Sequence, residues 1–273
     1  MPSDRKPLPT KPAAQAPHAQ GGVARQDAKH GPPEPTRATD RDVAAFAAEL
    51  KSRVPAASGT GNGRLVFAMD ATMSRKPTWD IALGLQAEMF EAVRAIGGLD
   101  VQLVYFRGAG ECRASRWVSE PDALARLMTT VDCRGGHTQI GKVLSHVRQE
   151  AESRRVNALV YVGDCMEENV DQLCARAGDL KLLGVPVFLF QEGRDATAES
   201  AFREIARLTG GAWCRFDAGA ATQLRELLTA VAVYAAGGMK ALLALADRAG
   251  GAGAQRIIAA LPPPAAGPAK GRR

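Results

Sequence analysis

Leu65-Val66-Phe67-Ala68-Met69-Asp70-Ala71-Thr72-Met73-Ser74 sets an unbroken apolar run directly against a cluster of oxygen-bearing side chains. Apolar residues without polar alternation read as a parallel strand covered on both faces. The residues behind the run place a carboxylate and two hydroxyls, on Asp70, Thr72 and Ser74, where that strand surfaces. Three small oxygen donors on one short loop suit a hard cation such as Mg²⁺, which takes near-octahedral oxygen coordination and keeps some of its waters. Soft-metal chemistry would call for Cys or His. Asp, Ser and Thr are also ordinary turn and helix N-cap residues, so the loop acquires meaning only from what the rest of the chain supplies.

Strands and helices alternate outward from this stretch. After the strand at 65–69, Pro77 opens a helix on which Trp79, Leu83, Ala87 and Phe90 recur at helical spacing. Strands follow at 101–106 and 114–118, then a short helix at 121–130. Gly135-Gly136-His137-Thr138 leads into a helix with Ile140, Val143, Leu144 and Val147 on one face. A strand at 158–162 precedes a helix carrying Val170, Leu173, Cys174 and Ala177. Gly184 ends that helix before a strand at 185–190. Phe202, Ile205 and Ala206 mark a helix stopped by Gly210-Gly211, and a strand at 212–216 precedes a last helix with Leu224, Leu227, Leu228 and Val231. This alternation predicts right-handed βαβ units in an α/β fold: a doubly wound, mostly parallel sheet with helices on both faces. One such domain spans 64–236, without internal repeats.

The flanks read differently. Residues 1–38 are rich in Pro, Ala, Gly and basic residues without apolar periodicity, and read as a disordered arm. The region 39–63 holds an amphipathic helix at 40–52, with Val43, Phe46, Ala47 and Leu50 on one face, followed by a Gly-rich linker. That linker precedes a strand and opens no helix, the reverse of a dinucleotide-binding loop. Beyond 236, the segment 239–246 has an apolar face open to two roles, packing on the domain or docking a partner, and a disordered tail completes 237–273.

The net charge of +6 is modest and partly carried by the tails, and aromatics are 5% of the chain without interleaved Lys/Arg runs, so no specific nucleic-acid binding is expected. No stretch reaches the roughly 18 uninterrupted apolar residues of a membrane span, and the arm lacks the apolar centre of a secretory signal. Five cysteines, odd in number and without CxxC pairing, suit reduced thiols and a cytoplasmic location.

In open α/β sheets, ligands bind beyond the carboxyl ends of the strands where the strand order reverses. Two other positions lie at such ends. Thr138 follows two glycines and begins a helix, and Asp164 comes directly after the strand at 158–162. If the first and fourth strands are neighbours, two carboxylates and three hydroxyls converge on one crevice. At this point the chain resembles the von Willebrand factor A (VWA) domains, whose metal-ion-dependent adhesion site (MIDAS) combines Asp-x-Ser-x-Ser, a Thr from a Gly-containing loop and an Asp after the fourth strand. The corresponding residues are Asp70, Thr72, Ser74, Thr138 and Asp164, and the element order agrees across 64–236. Thr72 stands where the first serine is usual, His137 where a smaller or amide residue is usual, and Cys165 where Gly is usual.

The resemblance implies a non-enzymatic binding module. Mg²⁺, or Mn²⁺ in its place, is held by those five residues and leaves one position open for an Asp or Glu carboxylate of a protein partner. Arg75, His137 and Glu167 form the rim. Intracellular VWA proteins often work beside AAA+ ATPases or in stress-related systems, which offers an analogy for the partner. One alternative is a metal-assisted or cysteine hydrolase in the same crevice, with Cys165 as nucleophile and His137 as base; another is a binding domain that needs no metal. An aspartate-nucleophile phosphatase of the haloacid dehalogenase type needs a second Asp at position 72, which is Thr, and the Cys-x5-Arg loop of tyrosine phosphatases is absent. His146 reads as a surface or boundary residue, and Trp117 and Trp213 as sheet packing.

Overall fold

The computed structural model describes residues 61–262, Ala218 excepted. The helix expected at 40–52, most of the Gly-rich linker and the two tails lie outside the described residues. The described chain runs β1 (Gly63–Asp70), a short 3-10 turn (Met73–Arg75), α1 (Lys76–Val93), β2 (Leu99–Arg107), β3 (Glu111–Val118), α2 (Pro121–Thr129), α3 (Ile140–Ser153), β4 (Ala158–Gly163), α4 (Val170–Leu182), β5 (Val187–Glu192), α5 (Ala196–Thr209), β6 (Trp213–Phe216), α6 (Ala221–Ala246) and α7 (Ala252–Ala260). The strands form one sheet in the order β3-β2-β1-β4-β5-β6, all parallel except β3, which runs antiparallel on the β2 edge.

The continuous apolar run at β1 is explained by its place in this sheet. It pairs in parallel with β2 on one side and β4 on the other, Leu65 lying opposite both Val101 and Ala158. Its side chains alternate between two cores. Leu65, Phe67 and Met69 join α1, α2, α6 and α7, whereas Val66 and Ala68 join α3, α4 and α5. Every residue of β1 is therefore buried. The strand order also makes the carboxyl ends of β1 and β4 the switch point, because successive strands build outward from β1 in one direction and from β4 in the other.

Most of the expected elements are present, with local differences. On α1 the buried stripe is Trp79, Ala82, Leu85, Met89, Phe90 and Val93, while Ala87 is exposed and Leu83 only half-buried. The buried stripe includes the polar Thr78 and Gln86, which an apolar-only count passes over. On α4, Val170 sits in the first turn and is exposed, whereas Leu173 and Ala177 are buried. β5 starts at Val187 because Pro186 has no N–H for the ladder. Gly210 adopts φ 77° at the end of α5, the left-handed conformation expected of a helix-ending glycine.

The core continues past 236. α6 carries a break at Gly238 (φ 66°, ψ −165°) and then resumes. Met239, Leu242 and Ala246 beyond the break, and Ala254, Ile257 and Ile258 of α7, belong to the same buried cluster as β1. Of the two roles open to 239–246, the structure shows packing. By length and composition alone α6 would suffice to cross a bilayer, and its Leu224, Leu227, Leu228 and Val231 lie fully buried against the sheet.

Candidate metal centre

The loop after β1 is fixed by its own backbone. The carboxylate Oδ1 of Asp70 accepts a hydrogen bond from the Thr72 backbone N–H at 2.7 Å, an Asx-type turn. Ala71 N–H donates to the Phe106 carbonyl at 3.0 Å, and the Ala71 carbonyl accepts from Arg134 N–H at 3.0 Å. The turn projects the two hydroxyls side by side, Thr72 Oγ1 and Ser74 Oγ being 3.3 Å apart. Ser74 Oγ donates to Asp164 Oδ2, at the end of β4, at 3.4 Å. The β1 and β4 loops thus meet as the sequence spacing predicts.

Thr138 is buried, and its hydrogen-bond partner is Glu167 in the β4–α4 loop. Its hydroxyl accepts from Glu167 N–H at 3.1 Å, and its own N–H donates to Glu167 Oε2 at 3.2 Å. The Thr138 and Asp164 loops are thereby cross-linked. On the other side Gly136 permits close approach to the β2–β3 turn, because a Cβ there would fall 2.2 Å from the backbone nitrogen of Gly108. The N–H of His137 donates to the Gly108 carbonyl, while its exposed ring lies 3.1 Å from Glu167 Oε2. His137 and Glu167 accordingly stand at the rim. Arg75 turns inward: its guanidinium lies 3.0 Å from Asp164 Oδ2 and also pairs with Glu192. Its side chain is only 12% exposed, and Thr78 Oγ1 donates to the same Glu192 carboxylate.

Two carboxylate oxygens in the crevice have no partner among the described residues. Asp70 Oδ2 and Asp164 Oδ1 are both buried and accept no hydrogen bond. Ligand atoms of Asp70, Asp164 and Cys165 all lie within 4.8 Å of one another. Burial pushes the Asp70 carboxyl up to about 6, with the Asp164 charge adding to the rise and the Thr72 hydrogen bond opposing it. Burial, reinforced by the Asp164 charge, pushes the Cys165 thiol up to about 12. That direction is opposite to what a thiolate nucleophile needs.

Comparison with solved structures relates this arrangement to known folds. A von Willebrand factor type A protein from Catenulispora acidiphila superposes with a TM-score of 0.51 at 15% identity, over 63% of this chain and 43% of that one. The fold is that of a VWA domain. Proximal thread matrix protein 1 from the mussel byssus gives a TM-score of 0.50 at 16% identity, over 63% of this chain and 45% of that one. The chain therefore spans less than half the length of these two structures. No family model matches the sequence, and no curated protein is similar to it. A VWA fold implies a cation at the end of β1, and the residues present fit one. Two buried carboxylate oxygens without a donor, Asp70 Oδ2 and Asp164 Oδ1, and two adjacent hydroxyls form a hard donor set, with Arg75 engaging only the other oxygen of Asp164.

Two acidic residues at or beside this crevice escape the sequence reading. Glu192 closes β5 as Asp70 closes β1, so an acidic residue ending an apolar run was the available signal. Glu168 accepts from the N–H groups of Ile140 and Gly141 and caps α3 from a distant loop, which no local pattern marks.

Proposed function

We propose that this chain is a metal-dependent protein-interaction module, in which Asp70, Thr72, Ser74, Thr138 and Asp164 hold Mg²⁺ (or Mn²⁺) and an Asp or Glu of a partner protein completes the shell. The observation that carries this reading is the pair of buried, unpartnered oxygens, Asp70 Oδ2 and Asp164 Oδ1. A buried acceptor without a donor costs roughly 1–3 kcal/mol, and a cation between the carboxylates would satisfy both. When bound, the ion supplies a Lewis-acidic anchor for an incoming carboxylate. The chain's own residues do the positioning: Thr72 N–H orients Asp70, Ser74 and Arg75 orient Asp164, and Glu167 clamps the Thr138 loop. The described cysteines are free thiols, which supports a cytoplasmic setting. An AAA+ ATPase is the partner class favoured by analogy.

Calorimetric titration with Mg²⁺ and Mn²⁺ tests the reading. Wild type should bind one divalent ion, and Asp70→Ala and Thr138→Ala should abolish or strongly weaken binding. Failure of the wild type to bind either ion would overturn it. Capture of partners in Mg²⁺ followed by release with EDTA would then identify the protein that supplies the carboxylate.

A further inference from the structure

A second cleft lies beside β3. It has a volume of about 230 Å³ and is walled by β3 and α3, with Arg113, Lys142, Ser145, His146, Gln149 and Arg176 presenting polar atoms to it. Among the described residues, no Asp or Glu lines it. Three of these side chains are permanent cations, and the way two of them are held is unusual. Arg176 Nη1 donates to the Gly141 carbonyl at 2.5 Å and to Ser145 Oγ at 2.9 Å. Lys142 Nζ donates to the Gly110 carbonyl at 2.7 Å. Both cations are oriented by neutral acceptors, and neither forms an ion pair among the described residues.

The nearby carboxylates are committed elsewhere. Glu111 binds Arg107 as well as Arg113, Glu168 caps the N-terminus of α3, and Glu150 accepts from Trp117 and Arg64. His146 uses Nε2 on Gln102 Oε1 at 2.9 Å, which leaves Nδ1 without a described partner. Of the three cations on its walls, Arg113 is paired with Glu111, whereas Arg176 and Lys142 are held by neutral acceptors and have no ion-pair partner among the described residues. Cations held in place before a ligand arrives lose little freedom on binding. An oxyanion such as a phosphomonoester accepts charge-assisted bonds from such a set. The volume is below the usual range for drug-sized ligands, so a compact group fits best.

We infer that this cleft is a binding site for a phosphomonoester group, held by Arg176 and Lys142 with Arg113, Ser145 and Gln149 completing the contacts. The group belongs either to a small metabolite or to a phosphorylated side chain of a protein.

The test is titration of the full chain at low ionic strength with inorganic phosphate, glucose 6-phosphate and an O-phosphoserine peptide, with NaCl at matched ionic strength as control. Phosphate should bind where chloride does not, and Lys142→Gln and Arg176→Gln should each weaken it roughly tenfold, the equivalent of one charge-assisted hydrogen bond. Arg148→Gln, which removes an exposed cation paired with Glu152 on the same helix, should leave binding unchanged. Tighter binding of the peptide or of the sugar phosphate assigns the source of the group. Lys142 is exposed, so its variant should keep the wild-type melting temperature even if Arg176→Gln loosens α4. No phosphate binding, binding matched by chloride, or binding equally strong in Lys142→Gln would overturn the inference.

Discussion

Asp70 carries two opposing demands on one side chain. Its carboxyl is raised from 3.8 to about 6 by burial, which corresponds to about 3 kcal/mol against the ionised form. The sign follows from linkage: the penalty is absent below the unfolded value, grows as pH rises toward 6 and is complete above it. Asp70→Asn should therefore abolish divalent binding yet stabilise the metal-free fold by up to about 3 kcal/mol at pH 7, because the amide oxygen still accepts from Thr72 N–H. Urea unfolding in EDTA, at pH 7 and at pH 3.5, measures this; equal gains at both values would contradict it. Arg75 makes the reverse case. Arg75→Ala leaves Glu192, 5% exposed, with Thr78 as its remaining described partner, and should cost roughly 3 kcal/mol or more, read from the same urea curves. Asp70, Thr72, Ser74 and Asp164 were legible because each sits at the end of an apolar run. The Arg75–Glu192 pair was not, because it depends on β5 lying beside β4, a neighbour relation that a local motif does not contain.

At the level of elements, the break at Gly238 is the most exacting position. Its dihedral angles fall where only glycine is at ease. Nothing lies within 4 Å of the place a Cβ would occupy, so the cost of a side chain there is conformational and not steric. Gly238→Ala should lower stability by roughly 1–3 kcal/mol, and Leu242→Ala, just beyond the break and fully buried, by about 2–5 kcal/mol. Thermal unfolding distinguishes this from a C-terminal segment that merely trails the domain, for which both changes would be silent. Gly237-Gly238 announces a helix end in the sequence, and the packing of α7 beneath β6 then decides that the chain turns back onto the core. The central strands β1, β4 and β5 were plain from their apolar runs, whereas the edge strands β3 and β6 are interrupted by polar residues. The buried face of α1 was harder to place, since Thr78 and Gln86 belong to it for reasons of contact and not of polarity.

On the scale of the whole molecule, pH acts through His146 as well. Burial lowers its pKa below the ordinary 6.5, only partly offset by Glu150. A histidine kept neutral by the fold contributes stability above its unfolded pKa, and that contribution is lost as pH falls below 6.5. In phosphate-free buffer, the unfolding free energy of wild type relative to His146→Gln should fall as pH drops below 6.5, the Asp70 contribution being common to both proteins; a difference that does not change with pH would exclude the assignment. The strand order has a further consequence, for time and not for energy. Ser74 and Asp164 are 90 residues apart, and they meet only when β1 and β4 pair. Long-range parallel pairing is among the slow events of folding. The cation site is thus completed at the seam between two halves of the chain, and neither half holds it alone. Acquisition of divalent binding during refolding would then be a clock for closure of that seam, trailing the helix signal and keeping pace with the burial of Trp79.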